Sequence, residues 1–362
     1  MVDPSAFTLP YDHALSAALA RAGADVALLT SRFVYGDGPE PTGYKPGEHF
    51  YRHAVGAPGS RLRRAAKLAE HVPDMLRLRA RAADQFDIVH FQWLAVQWLD
   101  GYLLPRRPVV LTAHDLLPRE ARAGQATAQR RLYDRVDALI VHSEYGRRQL
   151  VEQLGVPASK VTVIPHGAFT HLTQISPAPL PRELEDGGRP VVLFFGLLRP
   201  YKGIETLLAA WHGIQDAELW VVGRPRMDIG PLRAQAGSEV RFVSRFVGDA
   251  ELAAVFRRAD IVVLPYARTE RFDFSGVLAT ALAFGKAVVL SDVGGFKEVA
   301  DAGAAQLVAP GDAAALHAGL VDLLSDASRR EALAAAALAA ANGRYSWDAA
   351  AQATLALYRE LV

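Results

Sequence analysis

Short runs rich in Val, Ile and Leu alternate with helix-patterned segments along nearly the whole chain, and no other feature of the sequence restricts its fold as tightly. Strands separated by helical crossovers pair in parallel, so the pattern specifies α/β units with helices packed on the sheet faces. In the first half the strand candidates are Ala24–Thr30, Phe86–Trp93, Pro108–Asp115, Ala138–Ser143 and Val161–His166. In the second half they are Val191–Gly196, Glu218–Gly223, Val240–Phe246, Asp260–Pro265, Ala287–Asp292 and Ala305–Ala309. Between them, Ile204, Leu207, Leu208 and Trp211 fall at i, i+3, i+4 and i+7 and form the buried stripe of a helix reaching Ile214. Asp249 reads as the N-cap of the helix that follows it.

A chain of 362 residues is too long for one ordinary core and implies two domains of about 150 residues each. Pro177, Pro179, Pro181, Gly187 and Gly188 break up a stretch of little periodicity, expected to be the linker. The expected organisation is a first domain at 1–168, a linker at 169–190, a second domain at 191–343 and a closing helix at 344–362. Two doubly wound domains joined this way are expected to face each other across a cleft, with the chemistry just beyond the carboxyl ends of strands. Met1-Val2-Asp3-Pro4 leaves room for only one or two residues of a central strand before a helix begins near Tyr11–Leu15. The expectation is a start downstream of the natural one, or a trimmed chain.

The absence of cysteine excludes disulfides, thiolate zinc sites, iron–sulfur clusters and cysteine nucleophiles. No uncharged apolar run reaches the roughly 18 residues of a membrane span, and no basic segment precedes an apolar run at the N-terminus. The expected address is the cytoplasm. The net charge of +1 conceals a basic window, since residues 51–150 carry 17 Lys and Arg against 10 Asp and Glu. There Arg61, Arg63, Arg64, Lys67, Arg77, Arg79 and Arg81 interleave with Leu62, Leu68, Met75, Leu76 and Leu78, as in a basic amphipathic stretch interrupted at Pro73. It reads as a solvated helix face, or as a surface for anionic lipid head groups or a phosphorylated acceptor on the inner face of a membrane. The window lacks regularly interleaved exposed aromatics and the whole chain is near neutral, so nucleic acid is not an expected partner.

Candidate chemistry does follow strands. Arg199 and Lys202 stand between the strand Val191–Gly196 and the helix from Ile204, where two cations and a helix N-terminus suit a diphosphate. No Gly-rich run ends in Gly-Lys-Ser/Thr, so this is not an ATP-hydrolysing loop. After Asp260–Pro265, a loop holding Glu270 and Asp273 leads to Ser275-Gly276 at the start of the helix Val277–Phe284, a hydroxyl and backbone N–H groups for an anion. Two such places in one domain point to a nucleotide diphosphate.

Phe195-Gly196-Leu197-Leu198-Arg199-Pro200-Tyr201-Lys202-Gly203, Ser275-Gly276-Val277-Leu278 through Gly285, and Asp292-Val293-Gly294-Gly295-Phe296-Lys297-Glu298 resemble the donor half of glycosyltransferase family 4. Thr112-Ala113-His114-Asp115, Ile164-Pro165-His166-Gly167 and Tyr345-Ser346-Trp347 occur in the family's order, so the resemblance covers almost the whole chain. It implies the GT-B fold, two Rossmann-like domains facing across a cleft, and a retaining, metal-independent transfer from a UDP- or GDP-linked sugar to a glycan, lipid-linked or small-molecule acceptor. No cofactor is implied.

Carried onto this chain, the resemblance makes Arg199, Lys202 and His114 the catalytic candidates. It places Gly196, Gly223, Glu270, Asp273, Ser275, Gly276, Val277, Thr280, Gly294, Gly295 and Glu298 on the donor side. Asp3, Phe7, Trp93 and His166 fall on the acceptor side, and the closing helix is expected to pack back on the first domain. The chain also departs from the family. Two glutamates eight positions apart are common there, and Phe272 and Thr280 occupy their register, which leaves Glu270 or Asp273 as substitutes for the first. The competing readings are a sugar phosphorylase or nucleotide-sugar epimerase on the same fold, and a non-enzymatic two-lobed sugar-binding protein.

Overall fold

The computed structural model describes residues 1–33, 40–56, 60–117, 124–184, 187–269 and 272–362. They form two compact units, one of Met1–Gly167, Glu270–Asp273 and Trp347–Val362, the other of Ala168–Thr269 and Phe274–Ser346.

The first unit is built on seven parallel strands: β1 (Val2–Asp3), β2 (Ala27–Ser31), β3 (Lys45–Phe50), β4 (Val89–Phe91), β5 (Val109–Thr112), β6 (Ala138–Val141) and β7 (Val161–Val163). Their order across the sheet is β3-β2-β1-β4-β5-β6-β7. Around it run α1 (Leu9–Arg21), α2 (Arg61–Gln85), α3 (Gln97–Leu103), α4 (Gln125–Arg135) and α5 (Glu144–Arg148). The second unit carries β8 (Val191–Phe195), β9 (Glu218–Val222), β10 (Val240–Val243), β11 (Ile261–Leu264), β12 (Ala287–Ser291) and β13 (Gln306–Val308) in the order β10-β9-β8-β11-β12-β13. Its helices are α6 (Ile204–Trp211), α7 (Gly230–Gln235), α8 (Asp249–Arg258), α9 (Gly276–Ala283), α10 (Phe296–Asp301), α11 (Ala313–Ser325) and α12 (Ala327–Asn342). The last helix, α13 (Trp347–Leu361), belongs to the first unit and packs on α1. Both sheets reverse their winding beside a central strand, at β1/β4 and β8/β11, which is where doubly wound sheets bind ligands.

Three sequence expectations need correction. Strand β3 was not anticipated, because its sequence, KPGEHF, holds Pro, Gly and charges; as an edge strand paired only to β2 it needs neither alternation nor a buried face along its length. Pro73 does not interrupt α2, which continues for 25 residues. Interior proline costs about 3 kcal/mol, and the burial of His71, Met75, Leu78 and Ala82 on either side outweighs it. Asp249 is the first helical residue of α8, with Gly248 at the N-cap, so its charge meets the helix dipole without capping. In the expected linker, Ala178 N–H donates to Ala250 O at 3.0 Å, and Arg257 donates to Thr173 O and Ile175 O, tying 173–178 to α8.

Candidate functional site

In the second unit, β8 and β9 end in glycines because the backbones converge there. A Cβ on Gly223 (φ 152°) would lie 1.8 Å from Gly196 O, and one on Gly203 (φ 71°) 1.9 Å from Pro265 O. Only glycine allows these approaches. Between them Arg199-Pro200-Tyr201-Lys202 makes a single tight turn, with Lys202 N–H bonded to Arg199 O at 3.0 Å. Pro200 presets that turn, and Lys202 is consequently buried, only 6% exposed, while Arg199 is half-buried. A Cβ on Gly196 would sit 2.8 Å from Lys202 Nζ. The ammonium lies 5.1 Å from the centroid of the Tyr266 ring, and Tyr266 OH meets Ser275 Oγ at 3.1 Å.

Ser275 is the N-cap of α9, its Oγ accepting from Val277 N–H at 3.3 Å. The turn after β8 and the start of α9 are thus joined through one tyrosine. Thr280, one turn into α9, is buried and donates its hydroxyl to Gly276 O at 2.9 Å. Gly294 takes a left-handed conformation and Gly295 precedes α10, on which Glu298 accepts from Arg344 at 2.9 Å. Glu270 lies outside the described residues.

In the first unit, β4, β5 and β6 deliver Gln92, His114 and His142 just past their ends, and Ile164-Pro165-His166 follows β7. His142 Nδ1 lies 3.0 Å from Ile164 O, His142 Nε2 3.2 Å from His114 Nδ1, and His114 Nε2 3.0 Å from Gln92 Oε1. Tyr11 of α1 packs edge-on against His114 and His166, with ring centroids at 4.6 and 4.9 Å, and Trp93 stacks on His114 at 5.6 Å. Burial depresses the histidines: His142 is lowered to about 4 and His166 to about 3. Gln92, Trp93, Thr112, His114 and Asp115 line one pocket at these strand ends.

Two carboxylates expected to meet ligand are committed to the chain itself. Asp3 is fully buried and accepts from the backbone N–H groups of Ser5, Phe7 and Thr8, shaping the turn that leaves Phe7 70% exposed against Trp93. Asp273, expected on the donor side, belongs to the first unit. It accepts from His142 N–H at 2.6 Å and from the Ser143 hydroxyl, and Gly146 lacks a side chain where that carboxylate lies. The sequence reading missed His142 and Gln92: neither sits in a recognisable motif, and only their places after successive strands signal them. Among the described residues no group of three or more His, Asp or Glu is arranged to hold a metal ion.

Residues 189–326 match the family description "Glycosyl transferases group 1", and residues 12–171 match "Glycosyltransferase Family 4". The phosphatidyl-myo-inositol mannosyltransferase of Mycolicibacterium smegmatis is 32% identical over 298 residues, 76% of this chain and 72% of that protein. The chain belongs to the group 1 glycosyltransferases of family 4. A second relative of this glycosyltransferase, the D-inositol 3-phosphate glycosyltransferase of Kineococcus radiotolerans, is 28% identical and matches over 96% of this chain and 89% of its own length. Among solved structures, sucrose-phosphate synthase from Thermosynechococcus elongatus aligns with a TM-score of 0.72 at 24% identity, over 96% of this chain and 91% of its own. HepE from Anabaena, in complex with UDP-glucose, aligns with a TM-score of 0.73 at 19% identity, over 99% and 98%. The glycosyltransferase has the GT-B fold of these neighbours. None of its helices, among the described residues, is long and apolar enough to cross a membrane.

Proposed function

We propose that this glycosyltransferase moves a sugar from a nucleotide diphosphate, UDP- or GDP-linked, to a lipid-linked, glycan or small-molecule acceptor, with retention of configuration and without a metal. The observation that carries the reading is the turn after β8, which buries the Lys202 ammonium beside Arg199 at the switch point of the second sheet, one tyrosine away from the N-cap of α9. As the bond from the sugar to the β-phosphate oxygen breaks, negative charge grows on the diphosphate, and these cations stabilise it most at that moment. The acceptor oxygen bonds to the same carbon from the same face, and its proton leaves with the diphosphate. His114, past the end of β5, is the first-unit residue that the resemblance assigns to the transferred sugar. The UDP-glucose complex of HepE supports a nucleotide-sugar donor. The inositol phosphates in the names of two relatives support an acceptor that joins a polyol to a phosphate.

The outer face of α2 supports a membrane-associated acceptor. Leu62, Ala65, Ala69, Pro73, Leu76, Ala80 and Ala83 are all exposed and recur at helical spacing, with exposed Arg61, Arg64, Arg77 and Arg81 along the helix. Trp98 and Tyr102 of α3 are two-thirds exposed as well. Anionic vesicles should therefore pellet the protein, less so as salt rises; no partition at low salt would make the acceptor soluble and α2 a solvated face.

The donor assignment is tested by Arg199→Ala and Lys202→Ala. Each should weaken nucleotide diphosphate binding by roughly 1.5–3 kcal/mol, with turnover falling further than affinity. Wild-type turnover in both would sink it.

A further inference from the structure

The three histidines that follow β5, β6 and β7 are not equivalent. His142 Nδ1 faces Ile164 O, a carbonyl that can only accept, so that nitrogen carries a hydrogen. His142 is 2% exposed, and its pKa, lowered to about 4 by burial, keeps the ring neutral near neutral pH. A neutral imidazole protonated on Nδ1 has an acceptor at Nε2, and what faces that acceptor at 3.2 Å is His114 Nδ1. The hydrogen of this contact must therefore belong to His114. A neutral His114 then accepts at Nε2, so the Gln92 amide must turn its NH2, rather than the Oε1 that lies 3.0 Å away, toward that nitrogen.

We propose that His142 is a positioning residue that fixes His114 in its Nδ1–H form, so that Nε2, the nitrogen on the Gln92 side, is the one that engages the transferred sugar. Asp273 also accepts from the His142 backbone N–H, so both the backbone and the Nδ1 of this residue are fixed. Without it, His114 could exchange tautomers and present a donor or an acceptor at Nε2 indiscriminately. The proposal rests on the reading of His114 as the residue that meets the sugar.

The test combines nitrogen NMR of 15N-histidine-labelled protein with steady-state kinetics. In the wild type, His114 Nδ1 should give the signal of a protonated ring nitrogen. His142→Phe should lose that fixed form and cut kcat about tenfold with little change in donor KM. His142→Gln, whose amide oxygen can accept from His114 Nδ1, should restore both the signal and most of the rate, and it also covers the case in which the phenylalanine variant fails to fold. An unprotonated Nδ1 in the wild type, or an unchanged His114 signal in a folded His142→Phe, overturns the proposal. A His114→Ala enzyme that turns over at the wild-type rate would instead overturn the catalytic reading of His114, whatever the spectra show.

Discussion

The strand ends of the two units solve the same task by different means. In the second unit the work is done by backbone proximity: glycines at 196, 203 and 223 bring loops into contact, and Lys202 is buried by a four-residue turn. In the first unit it is done by side chains from distant segments, with Gln92, His114, His142 and Asp273 gathered from four places in the chain. A backbone-built site depends on a few positions that tolerate nothing else. A side-chain network spreads its stability over many modest bonds, and each loss is partial.

The largest expected effect sharpens that contrast. Gly223→Ala drives a Cβ into the Gly196 carbonyl and should destabilise the second unit by about 4 kcal/mol or more, measured by urea unfolding. Gly23→Ala, at φ 98° with no atom within 4 Å of the new methyl, isolates backbone strain alone and should cost about 1 kcal/mol. Equal losses would mean that close approach is not what requires glycine at the β9 end. Next comes Asp273→Ala, which strips two buried donors of their acceptor and should cost about 3 kcal/mol without altering nucleotide affinity. A weaker nucleotide affinity at unchanged stability would return Asp273 to the donor side and break the comparison.

Smaller still is the pair on α9. Ser275→Ala removes a cap and the hydroxyl beside Tyr266 and should harm nucleotide binding, whereas Thr280→Ala should stay within about tenfold, roughly 1.4 kcal/mol. Calorimetry on both decides it, and a large loss at Thr280 with none at Ser275 would reverse their roles.

The last contrast is in pH, where the contributions of several buried rings accumulate. Free histidine titrates near 6.5, while burial lowers His142 to about 4, His166 to about 3 and His90 well below its ordinary value. The unfolded chain therefore binds protons first as pH falls, and stability should drop from about pH 6.5 down towards pH 4, by up to roughly 1.4 kcal/mol per pH unit for each ring. Asp12 works in the opposite sense, since burial and the charge of Asp3 raise it well above the ordinary carboxylate range and the folded state keeps its proton. Asp12→Asn should accordingly steepen the acid limb of a thermal-melting series. A limb unchanged by that substitution would place the Asp12 proton elsewhere.

Legibility followed the same division. The parallel strands with apolar runs, the helix from Ile204 and the Arg199–Lys202 turn could be read directly, because local composition dictates them. Strand β3 and the unbroken α2 could not, since edge pairing and buried neighbours override local preference there. Asp273 lies only two residues before Ser275 yet belongs with His142, some 130 positions away. Thr280 occupies the register of a carboxylate and turns its hydroxyl back onto its own helix. The sequence by itself determined the alternation of elements, the glycine and lysine positions of the turn after β8, and the family. Only the tertiary structure decided which carboxylates were consumed internally and which ring nitrogen of His114 carries its hydrogen. Helix and strand patterns and tight turns are set by residues a few positions apart, whereas a buried polar atom's state is set by whichever partner the fold brings within about 3 Å of it.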